Sequence, residues 1–243
     1  MAEHVADKRN NVFLIAAAIL ALGVIVGGYL LGDGLRRARM ADRAVTVRGL
    51  AERDVTANLA NWTVSFTAQG NELGAVQAEI DRDARAVTDF FRAAGFPGAA
   101  VSDAGGSVSQ YFDSNRGENN VTINRRIQLR TDDVMRARAA YARQFELIRR
   151  GVAIQEGSGM QYVFTRLNDI KPQMIAEATR DARSGAERFA ADSETAVGGI
   201  RTATQGYFSI GPRDGDAAEE TYGGRDSPFQ KVRVVTTIEF YLD

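Results

Sequence analysis

The feature that most constrains this chain is a run of twenty residues without a charge, from Val12 to Leu31. A helix rises about 1.5 Å per residue, so a helix of this length spans about 30 Å, the thickness of a bilayer's hydrocarbon core. A water-soluble helix of this length normally has a polar face, and this run has none. The run therefore predicts a single transmembrane helix over residues 12–31, preceded by a polar tail at residues 1–11.

A cleaved signal peptide is the alternative interpretation of this run. Signal peptides have a shorter apolar stretch of about 7–15 residues, which ends at a cleavage site of small residues. Gly32-Asp33-Gly34 offers small residues at that place, but Leu35 and several arginines follow at once. We therefore predict a retained anchor, followed by a polar connector at residues 32–43.

Two pairs of glycines in and beside the run have G-x-x-x-G spacing, Gly23 with Gly27 and Gly28 with Gly32. This spacing lets two helix backbones approach closely in lipid, so it predicts association of membrane helices. The alternative is that glycine is simply frequent in membrane helices.

The basic residues that flank the run bear on its orientation. Two precede it and four follow it closely: Lys8 and Arg9, then Arg36, Arg37, Arg39 and Arg43. Because cytoplasmic flanks are enriched in lysine and arginine, this count taken alone places the larger C-terminal part in the cytoplasm.

Composition excludes several classes of chemistry. The chain has no cysteine, and its one histidine is His4 in the polar tail. Disulfides, thiolate nucleophiles, Ser-His-Asp triads and histidine-ligated metals are therefore excluded. From Ala44 onward there are 24 basic and 27 acidic residues. A domain that is mildly acidic gives no electrostatic reason to expect a nucleic acid as partner.

Hydrophobic periodicity from Ala44 to Asp243 predicts an α+β domain. Alternation predicts strands at 45–47, 62–68, 121–131, 152–167, 200–210 and 232–242. Apolar residues three or four apart predict a helix from Leu73 to Ala94, a second over 133–150 and a third that begins near Asn168 or Asp169 and stops at Gly198-Gly199. The apolar face predicted for the second helix comprises Val134, Tyr141, Phe145 and Ile148.

The order of these elements predicts an internal repeat of topology. Residues 59–131 and residues 152–242 each run strand, helix, strand, strand, which predicts two βαββ units joined by the helix at 133–150. A polar loop separates the last two strands of each unit, at Asp113–Asn120 and Gly211–Ser227. Such units predict two antiparallel sheets, or one continuous sheet, with helices on one face.

Two departures from simple patterns are informative. Arg125 interrupts the apolar row of Val121–Thr131, which predicts a bulge, an oligomer contact or a strand edge at this residue. The predicted buried face of the third helix is mostly small, which predicts close packing against a sheet or another helix: Ala178, Ala182, Gly185, Ala186 and Phe189.

A search for motifs with known chemistry finds none that fits. Gly157-Ser-Gly159 begins like a dinucleotide loop but opens no helix, and there is no Walker-type phosphate loop. One loop is rich in acids but lacks EF-hand spacing, which favours a solvated hairpin loop over a calcium site: Asp214, Asp216, Glu219, Glu220 and Asp226. We therefore predict no catalytic, cofactor-binding or metal-binding residue.

Aromatic residues cluster around the two predicted hairpins, at Tyr111-Phe112, Tyr207-Phe208, Tyr222 and Phe229. Aromatic side chains at strand ends often pack across the strand pair. They are also enriched where two proteins meet. Both interpretations remain open at this point.

Two segments at the ends of the domain indicate a family. They are Val45-Thr-Val47-Arg-Gly49-Leu-Ala-Glu52-Arg-Asp54-Val55, followed by the strand at Trp62, and Asp226-Ser-Pro228-Phe-Gln-Lys231-Val-Arg233-Val-Val-Thr-Thr-Ile238-Glu-Phe-Tyr241-Leu. They resemble the two ends of SIMPL-domain proteins, especially membrane-anchored bacterial members, and the likeness covers about residues 44–243. The resemblance implies an α+β fold, a periplasmic or envelope location and, from some members, large ring-like or barrel-like homo-oligomers. No catalytic residues are established for this family, so the resemblance implies none.

We therefore expect a single-pass protein of the bacterial inner membrane, bound to the lipid bilayer through Val12–Leu31. Its SIMPL-like domain is expected to face the periplasm and to form a homo-oligomer. We expect a structural or adaptor role in the envelope, linked by resemblance to stress tolerance, with an envelope protein as a further partner and no enzymatic activity. Two alternatives are an enzyme that uses carboxylates or a bound cation, and a ligand sensor that signals through the membrane helix.

Overall fold

A computed structural model describes residues 20–35, 43–114, 117–214 and 225–243. Residues 20–35 are helical and form helix α1, in which every residue is exposed except Asp33, which is half-buried. The predicted tail, residues 12–19 of the predicted span and residues 36–42 of the connector lie outside the described residues. Within the described residues, no helix has both the length and the apolar character needed to cross a membrane. The assignment of Val12–Leu31 to a membrane span therefore stays a prediction.

Beyond α1, the described residues form seven strands and four helices. The strands are β1 (Ala44–Thr56), β2 (Leu59–Gly70), β3 (Val101–Asp113), β4 (Glu118–Thr131), β5 (Gly159–Val163), β6 (Val197–Pro212) and β7 (Phe229–Leu242). The helices are α2 (Leu73–Ala93), α3 (Val134–Tyr141), α4 (Phe145–Arg149) and α5 (Leu167–Asp192), with a short 3-10 turn at Gly98–Ala100. The predicted α+β class and the order strand, helix, strand, strand in each half are confirmed.

These strands form two antiparallel sheets, with orders β3-β4-β2-β5 and β1-β7-β6. Of the two arrangements that the sequence left open, the structure has two separate sheets. β5 pairs with β2, from Leu59 opposite Val163 to Thr63 opposite Gly159. The second βαββ segment therefore does not form a sheet of its own, because its first strand completes the sheet of the first segment.

The chain consists of two compact units, and both include parts of β1, α5, β6 and β7. One comprises Met1–Leu50, Ala178–Gly206 and Val235–Asp243, and the other comprises Ala51–Glu177 and Tyr207–Val234. We call them the smaller and the larger unit.

The core of the larger unit lies between α2 and strands β2 and β4. Trp62 is buried at its centre, edge-to-face against Phe90, Phe91 and Tyr141 at centroid distances of 5.8, 5.0 and 5.2 Å. The alternating residues predicted for the inner face of β4 are all buried: Val121, Ile123, Ile127 and Leu129. The predicted face of α2 is also buried over most of its length, and Leu73 at its first turn is exposed.

The core of the smaller unit forms where α5 lies against strands β1 and β7. Its buried members are Val45, Ala182, Ala186, Ile238 and Phe240. Small side chains recur every four residues along α5, at Ala178, Ala182, Ala186 and Ala190, and all four are buried. This confirms the predicted close packing of small residues, but Gly185 and Phe189 are exposed, contrary to the prediction. The prediction that α5 stops at Gly198-Gly199 is also wrong, because both glycines lie in β6.

The predicted helix over 133–150 is two helices, because a tighter turn interrupts it. The N–H groups of Arg143 and Gln144 donate to carbonyl oxygens three residues back, at 2.9 and 3.0 Å. Such a turn has about 3.0 residues where an α-helix has about 3.6, so α4 is rotated relative to a continuous helix. Phe145 and Ile148, predicted to be buried, are therefore exposed, whereas Leu147 is buried.

Candidate functional site

Arg125 is the residue around which a candidate site in the larger unit is built. It lies on β4, which is an inner strand of its sheet, so it is not at a strand edge. Opposite it, the pairing of β3 with β4 slips between Asp103 and Gly106. Of the three explanations that the sequence offered for this arginine, the structure therefore confirms the bulge.

The bulge forms because two adjacent glycines allow it. Gly105 has a φ of +84°, which an L-amino acid with a side chain rarely adopts. Gly106 has no room for a β-carbon, which would collide with the carbonyl oxygen of Asn124 and lie 3.3 Å from the α-carbon of Arg125. The pair therefore bends β3 and turns Asp103 toward the guanidinium of Arg125.

The guanidinium of Arg125 joins a strand to a helix. Its Nε and Nη2 donate to Oδ2 of Asp103 at 3.0 and 2.7 Å. Its Nη1 donates to Oδ1 of Asp81 on α2 at 2.9 Å. The backbone N–H of Gly105 donates to the other oxygen of Asp103 at 2.9 Å. We call Asp81, Asp103 and Arg125 the arginine clasp.

The clasp fixes the charge of Asp103. Hydrogen bonds from Arg125, and then from the N–H of Gly105, hold the pKa of this carboxyl below its ordinary value. Asp103 is therefore ionised at neutral pH and is poorly suited to deliver a proton. All three side chains are partly exposed, so the stabilisation by each ion pair is modest, about 1 kcal/mol or less.

The clasp forms one wall of a cleft of about 540 Å³ between α2 and the strands β3 and β4. Three aspartates and three arginines line the cleft, so their formal charges cancel: Asp81, Asp89, Asp103, Arg85, Arg92 and Arg125. In the part of the chain that the structure describes, no three acidic or histidine side chains are grouped to hold a metal ion. The hydrogen bonds of the clasp are suited to holding α2 against the bulge of β3.

Asp83, also on α2, is a buried carboxyl that does not line the cleft. Its exposed fraction is 1%, and its Oδ1 lies 3.6 Å from Nε of Arg82. Burial raises its pKa, and the charge of Arg82 offsets only part of this effect. The folded protein is therefore destabilised at pH values above this raised pKa, where Asp83 must be ionised while buried. The destabilisation disappears as the pH falls below the pKa that Asp83 has in the unfolded chain.

We expect Asp83→Asn to stabilise the protein at pH 7 by about 1 kcal/mol, because it removes a buried charge and keeps the shape. The gain should shrink toward pH 3, which lies below the ordinary aspartate pKa of about 3.9, because the carboxyl is then largely protonated in both the folded and the unfolded state. Thermal unfolding followed by circular dichroism at both pH values measures this. Asp89→Asn is the control, since Asp89 is an exposed residue of the same helix. Equal or lower stability of Asp83→Asn at pH 7 would contradict the argument.

The outer strands of the two sheets form a second kind of candidate site. β3 ends its sheet, and all eleven residues between its two ends are exposed. β6 ends the other sheet, and its residues 199–205 are exposed. Both strands have long uncharged stretches, residues 104–112 and residues 202–212. We call these two strands the outer strands.

The aromatic residues around the hairpins differ in their exposure to solvent. Tyr111, Phe112 and Tyr207 are exposed, and Tyr207 is 100% exposed. Phe229 is partly buried, with the guanidinium groups of Arg138 and Arg213 at 5.5 and 5.2 Å from the centre of its ring. Tyr222 lies outside the described residues, as do Asp216, Glu219 and Glu220 of the acidic loop.

Comparison with known proteins places this architecture in a family. The family model for SIMPL, described as a protein of unknown function (DUF541), matches residues 45–240. No curated protein matches the chain. The matched region contains the helices α2 to α5 and nearly all of both sheets. Since the match extends over most of the chain, this protein belongs to the SIMPL family.

Proposed function

We propose that this protein is a non-enzymatic envelope component, anchored in the bacterial inner membrane by Val12–Leu31, whose SIMPL domain faces the periplasm and self-associates through its outer strands. Its role is structural or that of an adaptor for another envelope protein, and the family resemblance links it to stress tolerance. The uncharged run of twenty residues supports the anchor. The family resemblance supports the periplasmic side, against the count of flanking basic residues.

The observation that carries the proposal is that both outer strands are exposed and have long stretches without a charge. An outer strand presents unpaired N–H and C=O groups, to which a strand of another chain can pair. Proteins that stay monomeric protect such edges with lysine, proline, bulges or a covering helix. β3 has a bulge near Asp103, but residues 107–112 continue beyond it without a charge. The stretch at 202–210 in β6 has neither a charge nor a proline.

A second copy of the chain suits these strands as the partner. Pairing through backbone groups requires only another exposed strand, and each copy offers two. If β3 of one copy pairs with β6 of the next, the contact is head-to-tail, and repeating it closes a ring when the rotation allows. The exposed aromatic residues Tyr111, Phe112 and Tyr207 lie along the same strands and would gain contact area.

The arginine clasp supports a non-enzymatic role. A general acid or base needs a pKa near the working pH. The pKa of Asp103 is shifted away from that range, and the carboxylates of Asp81 and Asp103 are bonded to Arg125.

Lysine substitutions on the outer strands test the proposal. We expect the full chain in detergent to contain several copies per complex by light scattering. Val108→Lys on β3 and Tyr207→Lys on β6 should each lower the protein mass of the complex, because every strand contact would then have to bury a lysine against an uncharged strand. Leu73→Lys is the matched control, since Leu73 is an exposed apolar residue on α2, and it should leave the mass unchanged. A monomeric wild-type chain, or edge variants with the wild-type mass, would refute the proposal.

A further inference from the structure

A basic and apolar surface lies on α3 and α4, which belong neither to the cleft nor to the outer strands. Its exposed members are Met135, Arg143, Phe145, Ile148, Arg149 and Arg150, and we call it the α3–α4 surface. It exists because the tight turn at residues 142–144 rotates α4, so that Phe145 and Ile148 are directed to solvent.

The charge of this segment is opposite to that of the domain. Residues 134–150 contain five arginines and one glutamate, whereas acidic residues outnumber basic ones from Ala44 onward. Two of the arginines are engaged: Arg136 pairs with Asp133 at 3.0 Å, and Arg138 lies over the ring of Phe229. Among the described residues, Arg143, Arg149 and Arg150 make no ion pair. Three guanidinium groups are therefore available to anions in solution.

Large apolar side chains are exposed among these charges. Met135 is 52% exposed, Phe145 is 64% exposed and Ile148 is 51% exposed. Phe145 and Ile148 are three residues apart on one helix, so their side chains lie on the same face. A helical surface that combines arginine with exposed phenylalanine and isoleucine is typical of segments that lie in the boundary between lipid headgroups and acyl chains.

We propose that the α3–α4 surface docks on anionic phospholipid. Arg143, Arg149 and Arg150 would bind headgroup phosphates, while Phe145 and Ile148 enter the boundary beneath them. An acidic protein would satisfy the arginines equally well, but the exposed apolar side chains of Phe145 and Ile148 beside them favour a lipid surface, which offers phosphates and acyl chains together. Docking uses other side chains than self-association does, so neither proposal depends on the other.

A fluorescent label on the full chain tests this docking. The chain has no cysteine, so Ala142→Cys gives a single labelling position beside Arg143 and leaves the apolar side chains intact. The labelled chain is reconstituted with vesicles of phosphatidylcholine, alone or mixed with phosphatidylglycerol. We expect a polarity-sensitive label at residue 142 to shift to the blue, and to be protected from iodide, only with phosphatidylglycerol. High salt should reverse the change, because it screens the charges.

Substituted arginines and a second labelling position make the test specific. Arg143, Arg149 and Arg150 replaced together by glutamine should lower the ratio of docked to undocked protein about 100-fold, whereas lysine at all three should preserve docking. A label at Ala191→Cys, an exposed alanine of α5, should not respond. Equal responses at the two positions, or none at residue 142, would overturn the proposal. A response to soluble polyglutamate but not to phosphatidylglycerol would also overturn it, in favour of an acidic protein. Sedimentation with pure phosphatidylcholine vesicles reports separately on the anchor.

Discussion

Replacing Gly49 by valine is expected to destabilise the protein by about 4 kcal/mol or more, a large part of the stability of a typical domain. A β-carbon at this position of β1 would collide with the carbonyl oxygen of Ala178. It would also lie 2.6 Å from the backbone nitrogen and 2.8 Å from the β-carbon of Ala182. These are mostly backbone atoms, so α5 would have to move as a whole.

The movement would also break a specific contact of the smaller unit. The N–H of Leu50 donates to Oδ2 of Asp181 at 2.8 Å, and this bond requires the close approach of β1 and α5. Chemical denaturation of the full chain in detergent measures the loss. Gly185→Val is the matched control, because the space around that glycine is open, and it should leave the denaturation midpoint nearly unchanged. If the two variants unfold at the same denaturant concentration, the close packing of β1 on α5 is not as described.

Replacing Gly106 by valine is expected to cost about 3 kcal/mol and to open the arginine clasp. The new β-carbon would collide with the carbonyl oxygen of Asn124 and force β3 away from β4 at the bulge. Asp103 would then lose its two hydrogen bonds from Arg125. Hydrogen exchange of the full chain should therefore speed up in β3 and β4 near the bulge, and not in β7.

Gly159→Val is the control for Gly106→Val. Gly159 also lies in a strand, and nothing lies within 4 Å of a β-carbon built there. Valine favours strands, so this variant should be neutral or slightly stabilised. Unchanged exchange in Gly106→Val would mean that β3 does not need a glycine at the bulge.

The strands and helices whose inner faces are apolar could be predicted from the sequence. The alternation in Val121–Thr131 and the small-residue face of the third helix both depend on local periodicity, which a single sequence displays. The order of elements in both βαββ segments followed from the same patterns. Local periodicity therefore sufficed for the fold class, and it left two separate sheets as one of two possible arrangements.

The elements that the sequence placed wrongly depend on interactions between distant segments or on subtle backbone geometry. β5 pairs with β2 because of its place in the fold, and its five residues contain no pattern that identifies a partner. The break between α3 and α4 contains neither proline nor glycine to signal it. The exposed positions of Phe145, Ile148 and Phe189 follow from such details, so apolar identity alone predicted them as buried.

The candidate site could be predicted only in part. Arg125 was identified because a charge in an apolar row requires an explanation. Asp81 and Asp103 were not identified, since each is one acid among many and they lie 22 residues apart along the chain. The adjacent glycines Gly105 and Gly106, opposite an interrupted strand, were the available signal for a bulge.

Self-association through the outer strands is the central claim, and electron cryo-microscopy of the complex extracted intact from membranes tests it most directly. We predict a homo-oligomer in which β3 or β6 of each copy pairs, through backbone hydrogen bonds, with a strand of a neighbouring copy. Single copies, or an assembly in which both strands border only solvent, would contradict the claim.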